Sequence, residues 1–280
     1  MQAQQLLGAA LCDNTKNAYK RTWNLFIQHF PNITSIPLSP AILCNFIACL
    51  FSLGYSPNSI SSHVSAISYV HKILSLQDPS ETFLVRKIIQ GCHHSAPSKD
   101  SRLPITGPIL SNMLKSMDLS VKNLYTRILL KSIFLLAFNA FLRLGEIVVK
   151  SKTDQCKVIQ RNDATFEMLQ TTPVAVEIVL KNFKTNKTHD IFQIHLKASN
   201  NKEMCPVQAL YNYLHTFGHK SGPLFQFMGG EPVTYAFVVK NLTNIIDFVG
   251  LNPALYKGHS FRIGADTHAA HLGYSENCIQ

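Results

Sequence analysis

The stretch VAVEIVLKNFKTNKTHDIFQIHL, residues 174–196, is where the chain leaves one habit of sequence for another. Residues 174–183 alternate and are rich in Val and Ile, and residues 190–196 do the same. Lys184-Thr185-Asn186-Lys187-Thr188 lies between them as a turn. Apolar residues at a period of two around a polar, lysine-rich interruption predict a β-hairpin. Almost everything on either side reads as helix. Upstream, Thr106 caps a helix over 108–117, and a long apolar helix follows over about 121–141; downstream, helices are predicted over 206–217, 234–249 and 260–272. The expected fold class is α+β, mainly α with a small antiparallel β-sheet.

The first hundred residues predict helices alone. Tyr19, Trp23, Phe26 and Ile27 fall at i, i+4, i+7 and i+8, one apolar face of a helix that Pro31 stops. Ser39-Pro40 and Ser56-Pro57 each pair a cap with a proline at the first helical position, opening helices that run to Gly54 and over 60–76. A fourth, shorter helix is predicted over 79–91. Between His93 and Pro104 the sequence HHSAPSKDSRLP is polar, basic and proline-bearing, and reads as a linker. A length of 280 residues agrees with two domains, taken as a helical domain over 1–102 and a mixed domain over 103–280.

Lys+Arg 26 against Asp+Glu 16 gives a net charge of +10. Residues 1–102 hold 8 basic and 4 acidic residues, which leaves 18 and 12 for the rest, so both parts are basic, as two jaws of a clamp would be. Such a balance points to a polyanion, nucleic acid ahead of a membrane surface. A hydrophobic fraction of 46% with Phe 17 and Tyr 9 excludes a disordered chain. The 7 cysteines show no CxxC spacing, which predicts a reducing compartment, no disulfide framework and no zinc site; Cys92-His93-His94 reads as surface loop. The N-terminus MQAQQLLGAALCDNT lacks the basic region of a signal peptide. The apolar runs 42–55 and 128–149 are broken by Asn45 and by Lys131, Arg143 and Glu146, so no membrane span is expected. Neither GxGxxG, GxxxxGKS nor GxSxG occurs, so nucleotide hydrolysis and serine-hydrolase chemistry have no support. No cofactor and no metal are expected.

Two stretches put charge where a helical core would not. In Ala137-Phe138-Asn139-Ala140-Phe141-Leu142-Arg143-Leu144-Gly145-Glu146, Arg143 and Glu146 stand three residues apart at the end of the apolar helix, either as a local ion pair or as part of an anion site. In Gly258-His259-Ser260-Phe261-Arg262-Ile263-Gly264-Ala265, His259 and Arg262 lie at i and i+3 near a helix N-terminus, where backbone N–H groups and the dipole favour an anion. A guanidinium grips two phosphate oxygens at once, and an imidazole can donate or carry a proton.

In this order and spacing the pieces resemble the tyrosine recombinase (phage integrase) family, with the nearest likeness to recombinases of Crypton-like and DIRS-like mobile elements. Phe141-Leu142-Arg143-Leu144-Gly145-Glu146 resembles the first arginine motif, and residues 180–185 with Ile194-His195-Leu196 resemble the β-hairpin lysine segment. Cys205-Pro206-Val207 and Gly222-Pro223-Leu224-Phe225 resemble two structural signposts, and His259-Ser260-Phe261-Arg262-Ile263-Gly264 the second arginine motif. The likeness spans essentially the whole chain, since residues 1–102 look like the family's helical core-binding (SAM-like) domain and 103–280 like its catalytic domain. It implies metal-free transesterification on double-stranded DNA, in which a tyrosine forms a 3′-phosphotyrosyl link and frees a 5′-hydroxyl. Arg143 and Arg262 would then bind the non-bridging oxygens, His259 would bind phosphate and assist proton transfer, Lys184 would be the general acid, and Glu146 would orient Arg143. Lys181 and Lys187 lie close to Lys184, and Ser151-Lys152-Thr153-Asp154-Gln155 copies the wording of the lysine motif; Lys184 is preferred as the hairpin-tip residue.

The sequence also departs from the family pattern. Asp266 stands four residues after Arg262, where it could pair with that arginine and compete with phosphate. The nucleophilic tyrosine is expected about one helix past the second arginine motif, and the chain reaches Gln280 first, so no nucleophile is expected within 1–280. Tyr274, 12 positions after Arg262, and Tyr256 are read as packing residues. The expectation is therefore a DNA-binding recombinase-like protein that does not cleave as given, intracellular and nuclear, whose homo-oligomer, a tetramer in the family, is weakened by a missing C-terminal helix. Two alternatives stay open: a non-catalytic DNA-binding remnant of a mobile element, and a helical protein-interaction module.

Overall fold

The computed structural model describes residues 2–33, 35–96, 101–181, 191–216 and 221–274. The chain divides into two compact units, Met1–Asp100 and Ser101–Gln280. The fold class is α+β: mostly helical, with one small antiparallel sheet.

The first unit holds α1 (Gln2–Ala9), α2 (Asp13–His29), α3 (Pro40–Ser52), α4 (Pro57–Ile73) and α5 (Phe83–Ser95). The two Ser-Pro starts form as the sequence predicts. Ser39 Oγ accepts from the Ile42 N–H at 3.3 Å and Ser56 Oγ from the Ser59 N–H at 3.2 Å. The core gathers Phe26, Leu43, Phe46, Ile47, Leu50, Ile60, Val64, Ile67 and Val85. Phe26 sets its edge on Phe46 at 5.2 Å and stacks on Phe30 at 5.4 Å, both favourable aromatic geometries.

Several expectations need correction here. Ile27 is exposed, and the buried neighbour on α2 is Thr22, whose hydroxyl donates to the Ala18 carbonyl and accepts from His63 Nδ1 at 2.9 Å. The helix expected over 79–91 is two pieces, a 3₁₀ turn at Pro79–Glu81 and then α5. Thr82 separates them, and Asp78 caps the first, accepting from the Ser80 N–H at 2.9 Å and the Ser68 hydroxyl at 2.5 Å, with Lys72 Nζ at 3.3 Å. Cys92-His93-His94 is not loop. Val85, Ile88, Ile89 and Cys92 continue one apolar face at i, i+3, i+4 and i+7, so α5 runs on to Ser95 with Cys92 buried. Of the predicted linker, 93–95 is thus helical and 97–100 lies outside the described residues. Further along, the Leu103 and Ile105 N–H groups donate to the Leu255 and Ser260 carbonyls at 2.8 and 2.9 Å. Helix α1 was not foreseen: Leu6 and Leu7 are exposed, so it has no buried stripe to betray it.

The second unit contains α6 (Gly107–Ser120), α7 (Leu124–Asn139), α8 (Leu144–Ile147), β1 (Ala164–Leu169), β2 (Thr172–Leu180), β3 (Phe192–Lys197), α9 (Pro206–Thr216), α10 (Tyr235–Phe248) and α11 (Ser260–His271). Thr106 occupies the cap position of α6 without a side-chain bond to it. The helix expected over 121–141 begins later, because the Asn123 carboxamide oxygen accepts the Thr126 N–H at 2.9 Å and so caps α7. Every residue of 132–138 on α7 is buried, so α7 is the spine of this unit.

The sheet is β1-β2-β3, all antiparallel, with Ala164 opposite Ile178 and Leu180 opposite Phe192. Strand β1 is an addition to the predicted hairpin. It escaped notice because its two-residue turn is Gln170-Thr171, with Gln170 at φ 54°, where an Asn-Gly or Asp-Gly signal would be expected. Leu224 and Phe225 of the Gly222-Pro223-Leu224-Phe225 signpost are core residues. Cys205 of the other signpost is buried, its sulfur accepting from the Gln208 N–H at the start of α9. Among the described residues no helix is long and apolar enough to cross a membrane.

Candidate functional site

Arg143 stands on a turn that the end of α7 imposes. After Asn139 the chain reverses through Phe141, a non-glycine residue at φ 55°, and buries Leu142 before entering the four-residue α8. Arg143 is the cap residue of α8. Glu146 binds it twice: Oε2 accepts the Arg143 N–H at 2.8 Å, and Oε1 accepts from Nη1 at 3.1 Å. The side chain of Glu146 is 12% exposed and that of Arg143 is 36% exposed. A mostly sheltered carboxylate therefore sets the direction of a guanidinium that still reaches solvent, and the ion pair and the anion-site readings of this motif are compatible.

His259 and Arg262 are placed by α11. Phe261 is fully buried and packs on Phe134 of α7 at 4.9 Å between ring centroids. Gly264 lies beneath the Ile105 backbone so closely that a Cβ there would be 1.9 Å from the Ile105 carbonyl oxygen. These two contacts, with the Ile105 N–H to Ser260 carbonyl bond, fix the position of α11 in the unit. His259 is then the cap position of α11, with Arg262 one turn on, and both are half-buried. Arg262 makes no hydrogen bond and no ion pair with the described residues.

The two motifs meet through their neighbours. A Cβ added to Gly258 would lie 2.9 Å from Leu144 Cδ1 and 2.9 Å from the Tyr235 hydroxyl oxygen. The residue after Arg143 thus touches the residue before His259. The segments that carry Arg143 and His259, more than a hundred residues apart in sequence, pack against each other in the second unit, with Glu146 bonded to Arg143.

The expected pairing of Asp266 with Arg262 does not form. Asp266 Oδ1 is buried without a hydrogen-bond partner among the described residues, and no ion pair joins it to Arg262. An arginine four residues before an acid is the weaker orientation of such a pair on a helix. Tyr256 is buried as expected, whereas Tyr274 is 61% exposed and packs little.

Lys184 and Lys187 lie outside the described residues. Lys181, just past the end of β2, is held by Asp163, whose Oδ1 is 2.5 Å from Nζ. Residues 152–157 form a 3₁₀ helix, so the segment that copied the lysine motif's wording is not a hairpin.

Sequence reading missed two side chains near the site. Lys150 crosses α8, with Nζ 3.5 Å from where a Gly145 Cβ would be, and it makes no ion pair among the described residues. Its only signal was its spacing of four from Glu146. Tyr235 opens α10 and offered no local signal at all. Two further tyrosines are structural: Tyr125 and Tyr213 both donate to the Gln226 carbonyl, and burial pushes both hydroxyls up, that of Tyr213 well above the usual phenol range.

No protein-family model matches the chain. A curated relative, an integrase/recombinase XerD homologue of Selenomonas ruminantium, is 26% identical over 287 residues, covering 96% of this chain and 77% of the relative. Among solved structures, the Tn1549 transposon integrase in complex with transposon right-end DNA superposes with a TM-score of 0.67 at 14% identity, covering 99% of this chain and 88% of that one. A lambda integrase dimer bound to a core site gives 0.64 at 12% identity, with 100% and 90% covered. The XerH site-specific recombinase on its difH substrate gives 0.59 at 17% identity, with 95% and 72% covered. The chain is thus similar in sequence to a recombinase, at 26% identity, and shares its fold with integrases and a site-specific recombinase.

Proposed function

We propose that this protein binds double-stranded DNA and holds one backbone phosphate between Arg143, His259 and Arg262, the phosphotransfer site of a mobile-element recombinase of the Crypton-like and DIRS-like kind. The contact of Leu144 with Gly258 carries this reading, because it packs the residue after Arg143 against the residue before His259, and Arg262 makes no ion pair among the described residues. Two guanidiniums facing one phosphate neutralise the charge that grows on its non-bridging oxygens in a pentavalent transition state. A tyrosine oxygen attacks phosphorus as the bond to the 5′-oxygen breaks; His259 assists the transfer of the tyrosine's proton, and Lys184 protonates the departing oxygen. The neighbouring folds are DNA complexes, among them a lambda integrase dimer and a lambda integrase tetramer on a Holliday junction, and we extend DNA binding and homo-oligomeric assembly to this chain.

The excess of 26 basic over 16 acidic residues predicts salt-dependent binding. On a mixed-sequence duplex, log affinity should fall linearly with log salt, and Arg262→Gln should lower affinity and flatten the slope by roughly 0.9, the release of one phosphate counterion. A flat salt response would instead favour the protein-interaction module. A second reading, phosphate binding without cleavage, draws support from the tyrosines: Tyr125 and Tyr213 are engaged by Gln226, and Tyr256 is buried. A nicked suicide duplex separates the two, since a covalent protein–DNA adduct marks the recombinase and intact binding with no adduct marks the binder.

A further inference from the structure

We propose that the Tyr235 hydroxyl is an additional hydrogen-bond donor to the phosphate held by Arg143, His259 and Arg262; the proposal rests on the phosphate site described above. Three observations place the group. The Tyr235 N–H donates to the Val149 carbonyl at 2.8 Å, and Thr234 Oγ1 caps α10 by accepting the Phe237 N–H at 3.3 Å, so the backbone that carries the ring is anchored two residues past α8. The phenol then reaches across to Gly258. A Cβ on that glycine would be 2.9 Å from the hydroxyl oxygen and 3.4 Å from the ring carbon bearing it, with Leu144 at 2.9 Å on the same spot. The hydroxyl therefore sits at the point where the Arg143 motif and the His259 motif touch, in space that only a residue without a side chain leaves open.

The third observation concerns the donor itself. Tyr235 is half-buried, yet its hydroxyl makes no hydrogen bond with the described residues. The hydroxyl is not among the buried unpartnered atoms, so this donor is open to a ligand beside Gly258 and Leu144, the neighbours of His259 and Arg143, and an anion held by those residues would accept from it. A phenol suits this place better than another cation would. It adds a hydrogen bond to a phosphate oxygen without adding repulsion among the charges already gathered there.

Tyr235→Phe keeps the ring that packs on Gly258 and removes only the donor. Binding to a mixed-sequence duplex should weaken by about fivefold, the loss of one hydrogen bond of about 1 kcal/mol, while the salt slope stays as in the wild type, because a neutral hydroxyl releases no counterion. Arg262→Gln serves as the reference, lowering affinity and slope together. Inorganic phosphate, followed by 31P line broadening, gives a second readout on the same variants and should bind several-fold more weakly to Tyr235→Phe. All binding is read well below the melting temperature of each variant, so a weakened but folded protein still answers. Unchanged affinity for duplex and for phosphate in Tyr235→Phe, with Arg262→Gln impaired, overturns the role given to Tyr235 and leaves the phosphate site standing. No effect in either variant overturns the phosphate site itself. A suicide-substrate adduct mapped to Tyr235 also overturns the proposal, since the hydroxyl would then attack phosphorus and not donate to it.

Discussion

At the scale of single residues, two glycines show how one substitution can have opposite signs. Gly91 lies inside α5 with nothing within 4 Å of an added Cβ, so Gly91→Ala should stabilise by about 1 kcal/mol, the ordinary helix-propensity gain. Gly264 also lies inside a helix, yet its Cβ would meet the Ile105 carbonyl oxygen at 1.9 Å and its carbon at 2.6 Å. Backbone cannot swing aside as a side chain can, so Gly264→Ala should destabilise by about 3 kcal/mol and, through the displaced Arg262, weaken the DNA binding proposed above. Urea denaturation of the two variants checks this; a stabilised Gly264→Ala would mean that residue 105 does not cross the helix there. Arg143, Glu146, His259 and Arg262 could be named from the sequence as candidate motif residues. Tyr235 and Lys150 were not, because their importance lies in what they touch and not in their neighbours along the chain.

At the scale of elements, the pairing of α2 with α4 carries a pH dependence. His63 of α4 bonds to Thr22 of α2 and packs between the rings of Tyr55 and Phe46, and burial holds its pKa below the usual 6.5. Above that value both folded and unfolded forms are neutral and the folded unit keeps its full stability. As pH falls through about 6.5, the unfolded chain takes a proton that the folded one refuses, so stability declines until the depressed folded pKa is reached. The unfolding free energy of the wild type should therefore drop between pH 7.5 and pH 5.5 more than that of His63→Gln, measured by denaturant titration at each pH. Equal drops would remove His63 from the account. His71 lies nearby on the same helix, fully buried, with Nδ1 donating to the Ile67 carbonyl at 2.8 Å and Nε2 accepting the Leu38 N–H at 2.9 Å, which defines its tautomer. Helix starts marked by Ser-Pro were readable because capping is local chemistry. The continuation of α5 through His93 and His94 was hidden by polar residues on its outer face, and β1 by a turn without glycine.

At the scale of the whole molecule, each unit buries its own set of apolar side chains, one built around Phe26, Phe46 and Ile67 and the other around α7. Calorimetry should resolve two unfolding transitions, the smaller with an enthalpy suited to about a hundred residues, and acidification should shift the transition that reports His63. A single transition with equal calorimetric and van't Hoff enthalpies would show that the units unfold as one. Composition and periodicity were sufficient for the class of fold, the basic character and most helix positions, since these follow from transfer free energy and helix geometry summed over many residues. Candidate motif residues could also be named one by one. The packing of the segments that carry them could not, because it depends on the close approach of Leu144 to Gly258, on Ile105 lying over Gly264 and on Phe261 lying tilted against Phe134. Those contacts join residues more than a hundred positions apart, and no local pattern encodes where a chain returns to meet itself.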